Sequence, residues 1–131
     1  MKKQGFTLME VLIVVIIIGI FATFAIPNYL RAVERARWAE AASLLSALRS
    51  AQLRYKAQYG YYADSNSADN LDITFPANTK FFQIQIDNAN TSVAHATRNN
   101  VGNSETSGKT LKIDENGTFS CTQNCPSWLG Y

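Results

Sequence analysis

The sequence has little of what most enzyme active sites are built from. Its 131 residues include one histidine, His95, and two cysteines, Cys121 and Cys125. No nucleophile or carboxylate motif accompanies His95, and the chain has no glycine-rich phosphate loop and no nucleophile elbow. Two thiols and one distant imidazole do not complete the four ligands of a structural zinc site. We therefore expect no enzymatic activity and no metal, and we place His95 on the surface of a strand.

Charge is absent from residues 11–30, which are dominated by Val, Ile, Leu, Phe and Ala. About 20 apolar residues is the length that an α-helix needs to cross the hydrocarbon core of a bilayer. Glu10 lies at the head of this run, where a carboxylate is costly unless it is paired. Lys2 and Lys3 stand before it, and they predict a single-pass anchor with a cytoplasmic N-terminus.

The segment before the apolar run reads Lys3-Gln4-Gly5-Phe6-Thr7-Leu8-Met9-Glu10. Together with an apolar helix that contains Pro27, it resembles the class III leader of type IV pilins and related pseudopilins. The resemblance is strong over residues 1–60 and weak beyond them. It implies that residues 1–5 are a leader, that a prepilin peptidase cuts after Gly5, and that the new amine on Phe6 is methylated. The acidic residue that the family carries at the fifth mature position corresponds to Glu10.

Two other interpretations of the N-terminus stay open. A secretory signal peptide would be cut after Thr23-Phe24-Ala25, and the helix would then be discarded. An uncleaved signal anchor would keep Lys2 and Lys3. Glu10 favours the pilin-type leader over a signal peptide, because it lies where a signal peptide has an uncharged core.

Beyond residue 30 the continuous apolar run gives way to an amphipathic pattern. The apolar positions that recur at helical spacings are Val33, Ala41, Leu44, Leu45, Leu48, Ala51, Tyr55 and Tyr59. We predict one helix over about residues 6–59, roughly 80 Å long at 1.5 Å per residue. Pro27 removes a backbone donor inside it, so we expect a kink there and a weaker point at Gly19. Residues 6–30 form the membrane and assembly helix, and residues 31–59 form the helical half of a head.

A polar connecting loop is predicted over residues 60–79. Its oxygen-bearing side chains that are candidates for Ca²⁺ are those of Asp64, Asn66, Asp69 and Asp72. The loop lacks the closing bidentate glutamate of a calcium-binding loop, so a solvated connector is favoured and we expect no cofactor.

Strand signals follow the loop. Phe82, Ile84 and Ile86 alternate with glutamines, which predicts a strand with one buried face. Further strands are predicted at residues 91–97, 110–113 and 118–121. Asn116-Gly117 is a hairpin signal between the last two. Three or four antiparallel strands over residues 80–121, packed on the helix stripe, predict an α+β head with the pilin fold.

Two cysteines in an exported domain predict a disulfide between Cys121 and Cys125. The loop that it closes is short, so chain entropy gives it only about 2 kcal/mol. We expect this bond to fix the tail, residues 121–131, on the rest of the head.

Charge is distributed unevenly along the chain. Residues 31–59 hold six basic and two acidic residues, and residues 60–131 hold four basic and seven acidic residues. We expect the basic helix face to contact acidic head surfaces of neighbouring subunits. Only Trp38 and Tyr55 lie among the basic residues, so the sequence does not favour nucleic-acid binding.

These observations favour a structural subunit of a type IV pilus-like filament. The chain waits in the inner membrane and then polymerises through its N-terminal helix into an extracellular helical homopolymer for adhesion, motility or uptake. In such a bundle a buried Glu10 costs several kcal/mol unless it is paired, and the resemblance implies pairing with the Phe6 amine of a neighbour. A pseudopilin of type II secretion and a minor pilin are the nearest alternatives, and a signal-anchored binding module is a further one.

Overall fold

The computed structural model describes residues 5–65, 67–102, 105–122 and 125–131. The chain forms two compact units, Met1–Ala36 and Arg37–Tyr131. One long helix, α1 (Leu8–Tyr59), is followed by four strands: β1 (Phe82–Ala89), β2 (Ser92–Arg98), β3 (Thr110–Ile113) and β4 (Phe119–Thr122). The predicted α+β architecture is confirmed. The helix begins two residues later than the sequence suggested.

In the first unit, α1 leaves its apolar side chains uncovered. Residues 11–30 are exposed except for Ala22, which is partly covered. An 18-residue window of the helix has a mean hydropathy of 2.8 and none of it is buried, so the helix is long and apolar enough to cross a membrane. Pro27 lies inside the helix, and the kink there and the weak point at Gly19 stay predictions.

In the second unit, one face of α1 packs on one face of the sheet. The helix contributes Trp38, Ala41, Leu45, Leu48, Ala51 and Tyr55 to the core. The sheet contributes Phe82, Ile84, Ile86, Val93, Ala94, Ala96, Leu111 and Ile113. The predicted stripe is thus confirmed from Ala41 to Tyr55. The prediction is wrong at Tyr59, whose side chain is 51% exposed. The helix ends at this residue, and its ring contacts the ring of Tyr55 rather than the sheet.

The sheet is antiparallel with the strand order β1-β2-β3-β4. The alternation predicted for Phe82, Ile84 and Ile86 is confirmed, because these side chains are buried while the intervening glutamines are exposed. β3 and β4 are joined by the predicted hairpin, in which Gly117 adopts a φ of 90°. The Asp114 carboxylate accepts the backbone N–H groups of Asn116 and Thr118, at 2.9 and 2.7 Å, and so fixes the turn.

A buried glutamine connects the helix, the connecting loop and the sheet of the head. Gln52 lies on α1 and is fully buried. Its Nε2 donates to the carbonyl of Ala63 at 2.8 Å, and its Oε1 accepts the N–H of Ala63 at 2.9 Å. The same Nε2 also lies 3.2 Å from the carbonyl oxygen of Asp87 on β1. One side-chain amide therefore satisfies backbone groups of the connecting loop and of the sheet, which are costly to leave unpaired.

Candidate functional site

The first unit begins with a helix cap, which was not among the features predicted from the sequence. Thr7 immediately precedes α1, and its Oγ1 accepts the backbone N–H of Glu10 at 3.3 Å. Thr7-Leu8-Met9-Glu10 is the spacing of a capping box, in which the acidic residue lies three positions after the cap. The signal was present in the sequence. It also places the Glu10 carboxylate at the positive end of the helix dipole, where a negative charge is favourable.

The predicted cleavage site lies outside the helix. Gly5 and Phe6 precede α1, and the Phe6 side chain is 81% exposed. A peptidase requires an extended and accessible backbone, and the peptide bond between these two residues is not held in the helix. The geometry is compatible with cleavage there, and both cleavage and methylation stay predictions.

Glu10 is exposed, and residues 6–30 contain no basic side chain that could pair with it. The first basic residue after it is Arg31. At 1.5 Å per residue, Arg31 is about 30 Å farther along the helix. Removal of the leader would also remove Lys2 and Lys3. A partner for Glu10 in an apolar environment therefore has to come from the new N-terminal amine or from another molecule.

In the head, part of the predicted charge asymmetry is neutralised within one chain. Arg54 on α1 forms a bidentate ion pair with Asp72, at 2.5 and 2.8 Å. Lys56 lies 3.2 Å from the carboxylate of Glu115, and the Tyr62 hydroxyl donates to the same oxygen at 2.8 Å. The Tyr62 and Lys56 donors lower the pKa of Glu115. The sequence suggested that these helix cations meet neighbouring subunits, but the fold brings the chain's own acidic residues to them.

Of the residues named for calcium, the structure describes Asp64, Asp69 and Asp72. Asp72 is paired with Arg54, and the Asp64 carboxylate accepts the N–H and the hydroxyl of Ser67 at 2.9 and 2.8 Å. Asn66 lies outside the described residues. Within the described ranges, no group of three or more His, Cys, Asp or Glu side chains is placed to hold a metal ion.

His95 takes part in a polar cluster on the sheet. Its Nδ1 lies 2.8 Å from Asp87 Oδ2, and the Ser92 hydroxyl donates to that same oxygen at 2.5 Å. Burial acts to raise the pKa of Asp87, but the His95 and Ser92 hydrogen bonds outweigh it, and the pKa is lowered. The serine hydroxyl and the imidazole Nδ1 both contact the same carboxylate oxygen. The cluster joins β1 to β2.

A second group surrounds Phe81, which is partly buried. The Arg37 guanidinium lies 4.1 Å from the centre of its ring, Arg98 lies at 5.1 Å, and the Lys80 ammonium lies at 5.5 Å. Arg98 is buried and donates to the carbonyls of Phe81 and Val101, at 3.0 and 2.9 Å. The sequence alone does not reveal this cluster, because only the dipeptide Lys80-Phe81 is local. We call Arg37, Lys80 and Phe81 the basic-aromatic patch.

The predicted disulfide is present. Cys121 and Cys125 are bonded, with their Cα atoms 6.0 Å apart. Beyond it, Leu129 is buried in the head and the Tyr131 ring packs on Phe119 with the ring centres 5.6 Å apart. The bond thus joins the last strand to a tail that contributes to the core.

Two family models together match most of the chain. The model described as "Type IV minor pilin ComP, DNA uptake sequence receptor" matches residues 27–121. The model described as "Prokaryotic N-terminal methylation motif" matches residues 1–26. The second match falls on the capped helix and the Gly5–Phe6 bond, and the first falls mainly on the head.

Curated relatives agree with these models. The chain is 43% identical over 63 residues to the type IV major pilin protein PilA of Myxococcus xanthus, a match that covers 48% of this chain and 29% of the relative. It is 39% identical to the type II secretion system core protein G of Vibrio cholerae, over 59% of this chain and 53% of the relative. It is 33% identical to the fimbrial protein EcpC of Eikenella corrodens, over 93% of this chain and 84% of the relative.

The chain therefore spans about half or less of the first two relatives, and most of the third. The methylation motif, the long capped helix and the four-stranded antiparallel head occur here on one polypeptide. The chain belongs to the type IV pilin family.

Proposed function

We propose that the chain is a structural subunit of a type IV pilus-like filament. It waits in the inner membrane with its N-terminus in the cytoplasm, and it polymerises through residues 6–30 after removal of residues 1–5. The observation that carries this proposal is the uncovered apolar helix, capped at Thr7 and headed by Glu10. Such a surface must be covered by lipid or by other helices, and a filament of identical helices provides the second environment.

Two alternatives within the family are a pseudopilin of type II secretion and a minor pilin. The relative from Vibrio cholerae is a core protein of type II secretion, and the model matched by the head describes a minor pilin. We favour a pilus subunit, and a disulfide-fixed tail on the head supports that choice over a pseudopilin.

Processing is tested by mass spectrometry of the mature N-terminus. We expect the chain to begin at Phe6 and to carry one methyl group on its amine. Gly5→Val is expected to leave residues 1–5 attached, because a branched side chain at the cut disfavours the peptidase. Gly19→Ala is the matched control, since it changes a glycine within α1 and leaves the cleavage site intact. A chain that begins at Ile26 would instead indicate a secretory signal peptide, and an uncut Met1 would indicate a permanent anchor.

DNA binding is a second candidate function, favoured by the basic-aromatic patch. The family model over residues 27–121 describes a DNA uptake sequence receptor. Arg37 and Lys80 flank a partly buried ring, and two neighbouring cations are suited to the phosphates of a duplex. We propose that this patch contacts duplex DNA.

A titration with a fluorescent DNA duplex tests this proposal on the full chain in detergent. Replacing Arg37 and Lys80 together by glutamine is expected to weaken binding and to reduce the slope of log affinity against log salt by about 2. Arg54→Gln is the control, because its charge is already paired with Asp72. An unchanged salt slope in the double variant would rule out phosphate contacts by the patch.

A further inference from the structure

β1 forms one edge of the sheet, and its register shows which backbone groups face away from β2. The Phe82 carbonyl accepts the N–H of Thr79 at 2.8 Å, and the N–H of Ile84 donates to the carbonyl of Ala77 at 2.7 Å. Both bonds lie on the outer side of β1. Because the direction of backbone groups alternates along a strand, the N–H and C=O of Ile86 point to this side as well.

The open end of β1 begins at Ile86. Among the residues that the structure describes, no backbone group pairs with the outward N–H or C=O of Ile86. The connecting loop thus pairs with the edge of β1 at Phe82 and Ile84. It leaves the backbone unpaired two residues later, at Ile86. An unpaired edge is a template for another extended chain.

A groove lies next to this unpaired position. It has a volume of about 370 Å³ and is lined by Ser65, Ala68, Phe75 and Ala77 of the connecting loop and by residues 84–87 of β1. A second cleft of about 220 Å³ shares Ala68, Phe75 and Ala77 with it. The connecting loop and β1 are therefore separated at this point, and residues of both line the space between them.

Acidic side chains lie at the groove, and His95 and Lys112 lie close enough to Asp87 to favour its charged form. Asp87 lines the groove and Asp69 lines the adjoining cleft, and among the described residues that line them there is no lysine or arginine. The Asp87 carboxylate accepts hydrogen bonds from Ser92 and His95, which favour its ionised form. A partner with basic side chains therefore complements this end of the strand.

We propose that the groove binds an extended, basic peptide segment of another protein by strand addition to β1. Ile86 would exchange both of its outward hydrogen bonds with the residue opposite it. That residue points to the same side of the sheet as Ile86, so an apolar side chain there enters the groove beside Phe75 and Ala68. Its two neighbours lie on the other face, one opposite Gln85 and one near Asp87, where the register of β1 shifts after Ile86 and where a basic side chain suits the carboxylate. The recognised pattern is basic–apolar–basic.

The proposal concerns the head alone and goes beyond filament formation. A peptide backbone is the chemistry that supplies a donor and an acceptor at the spacing of a strand edge. The test therefore uses the unassembled full chain in detergent micelles, labelled with ¹⁵N. The probe is an acetylated and amidated peptide, Thr-Lys-Ile-Lys-Thr, titrated while the amide of Ile86 is followed by NMR.

We expect the amide of Ile86 to shift on binding and its hydrogen exchange to slow. N-methylation of the central isoleucine amide of the peptide removes one exchanged hydrogen bond, and it is expected to weaken binding by about tenfold or more. The peptide Thr-Glu-Ile-Glu-Thr is expected to bind at least about tenfold more weakly than the lysine peptide because it meets Asp87 with like charge.

Two variants close the groove without touching the outward groups of Ile86. Ala77→Trp and Ser65→Trp each start from an exposed residue that lines the groove, and both are expected to abolish peptide binding. Ala47→Trp, on the exposed face of α1, is the matched control and is expected to bind as the unchanged chain does.

Three outcomes would overturn the proposal. The first is equal binding of the N-methylated and unmodified peptides, and the second is no binding of the lysine peptide at millimolar concentration. The third is self-association of the chain, without peptide, that Ala77→Trp abolishes, because the groove would then belong to a second copy of this chain.

Discussion

Replacing Glu10 by alanine is expected to abolish filament assembly while leaving removal of residues 1–5 and methylation of Phe6 intact. In a bundle of apolar helices, the amine of Phe6 then has no carboxylate to pair with. Breaking a buried ion pair by removing one partner costs about 3–5 kcal/mol, which corresponds to a loss of assembly of roughly a hundredfold or more. The measurement is the amount of filament sheared from cells that make equal amounts of processed subunit.

Two further variants separate the charge of Glu10 from its place at the helix cap. Glu10→Gln keeps a residue that can complete the capping box but removes the negative charge, so assembly is expected to fail as it does for alanine. Thr7→Ala removes the side-chain cap and keeps the charge, at a cost of about 1 kcal/mol, and reduced but detectable filaments are expected. Glu40→Ala, on an exposed part of α1, is the matched control. Normal filaments from Glu10→Gln would rule out the ion pair.

Replacing Trp38 by alanine is expected to have the largest effect on the stability of the head. Trp38 is fully buried on α1, and its ring meets the edge of Phe82 on β1 at a centroid distance of 5.1 Å. Truncating a buried tryptophan costs about 3–5 kcal/mol, which is much of the stability of a domain this small. The free energy of unfolding is measured by urea denaturation in detergent, with near-ultraviolet circular dichroism as the signal of tertiary packing.

Trp38→Phe tests whether packing or the indole N–H carries the effect. Among the described residues, the buried Nε1 of Trp38 has no hydrogen-bond partner, so its removal leaves no polar group newly unpaired. We expect this variant to lose clearly less stability than alanine, on the order of 1 kcal/mol. Tyr61→Ala is the control, because its side chain is 60% exposed and its loss is expected to cost less than about 1 kcal/mol. Equal losses for Trp38→Ala and Tyr61→Ala would contradict the role of Trp38 in the core.

Features that depend on neighbours in the sequence were predictable. The helix over residues 31–59, the alternation around Ile84 and the hairpin at Gly117 each follow from a local period or a turn dipeptide, and each is confirmed. The capping box at Thr7 was equally local and was overlooked. The one wrong position in the helix stripe, Tyr59, lies at the helix end, where a periodic pattern no longer says which side is covered.

Features that depend on which surfaces meet were not predictable. The helix charges appeared to be available to other subunits, yet Lys56 pairs with Glu115, which follows it by 59 residues. The basic-aromatic patch depends on Arg37 of α1 lying over Phe81, far along the chain. Gln52 reads as an ordinary polar helix residue, and its burial against Ala63 and Asp87 becomes visible only in the folded head.

The sequence by itself determined that this chain carries an apolar N-terminal helix with a methylation motif and a small α+β head. A run of uncharged residues, a leader motif and short hydrophobic periods are sufficient for that, because each acts through its immediate neighbours. Only the tertiary structure decided which charges are neutralised within the head and that Trp38 fills its core. It also decided that, within the described part of the chain, the outward backbone groups of Ile86 on β1 have no backbone partner. These depend on the register of the strands and on the path of the connecting loop, which are set by contacts between residues far apart in the chain.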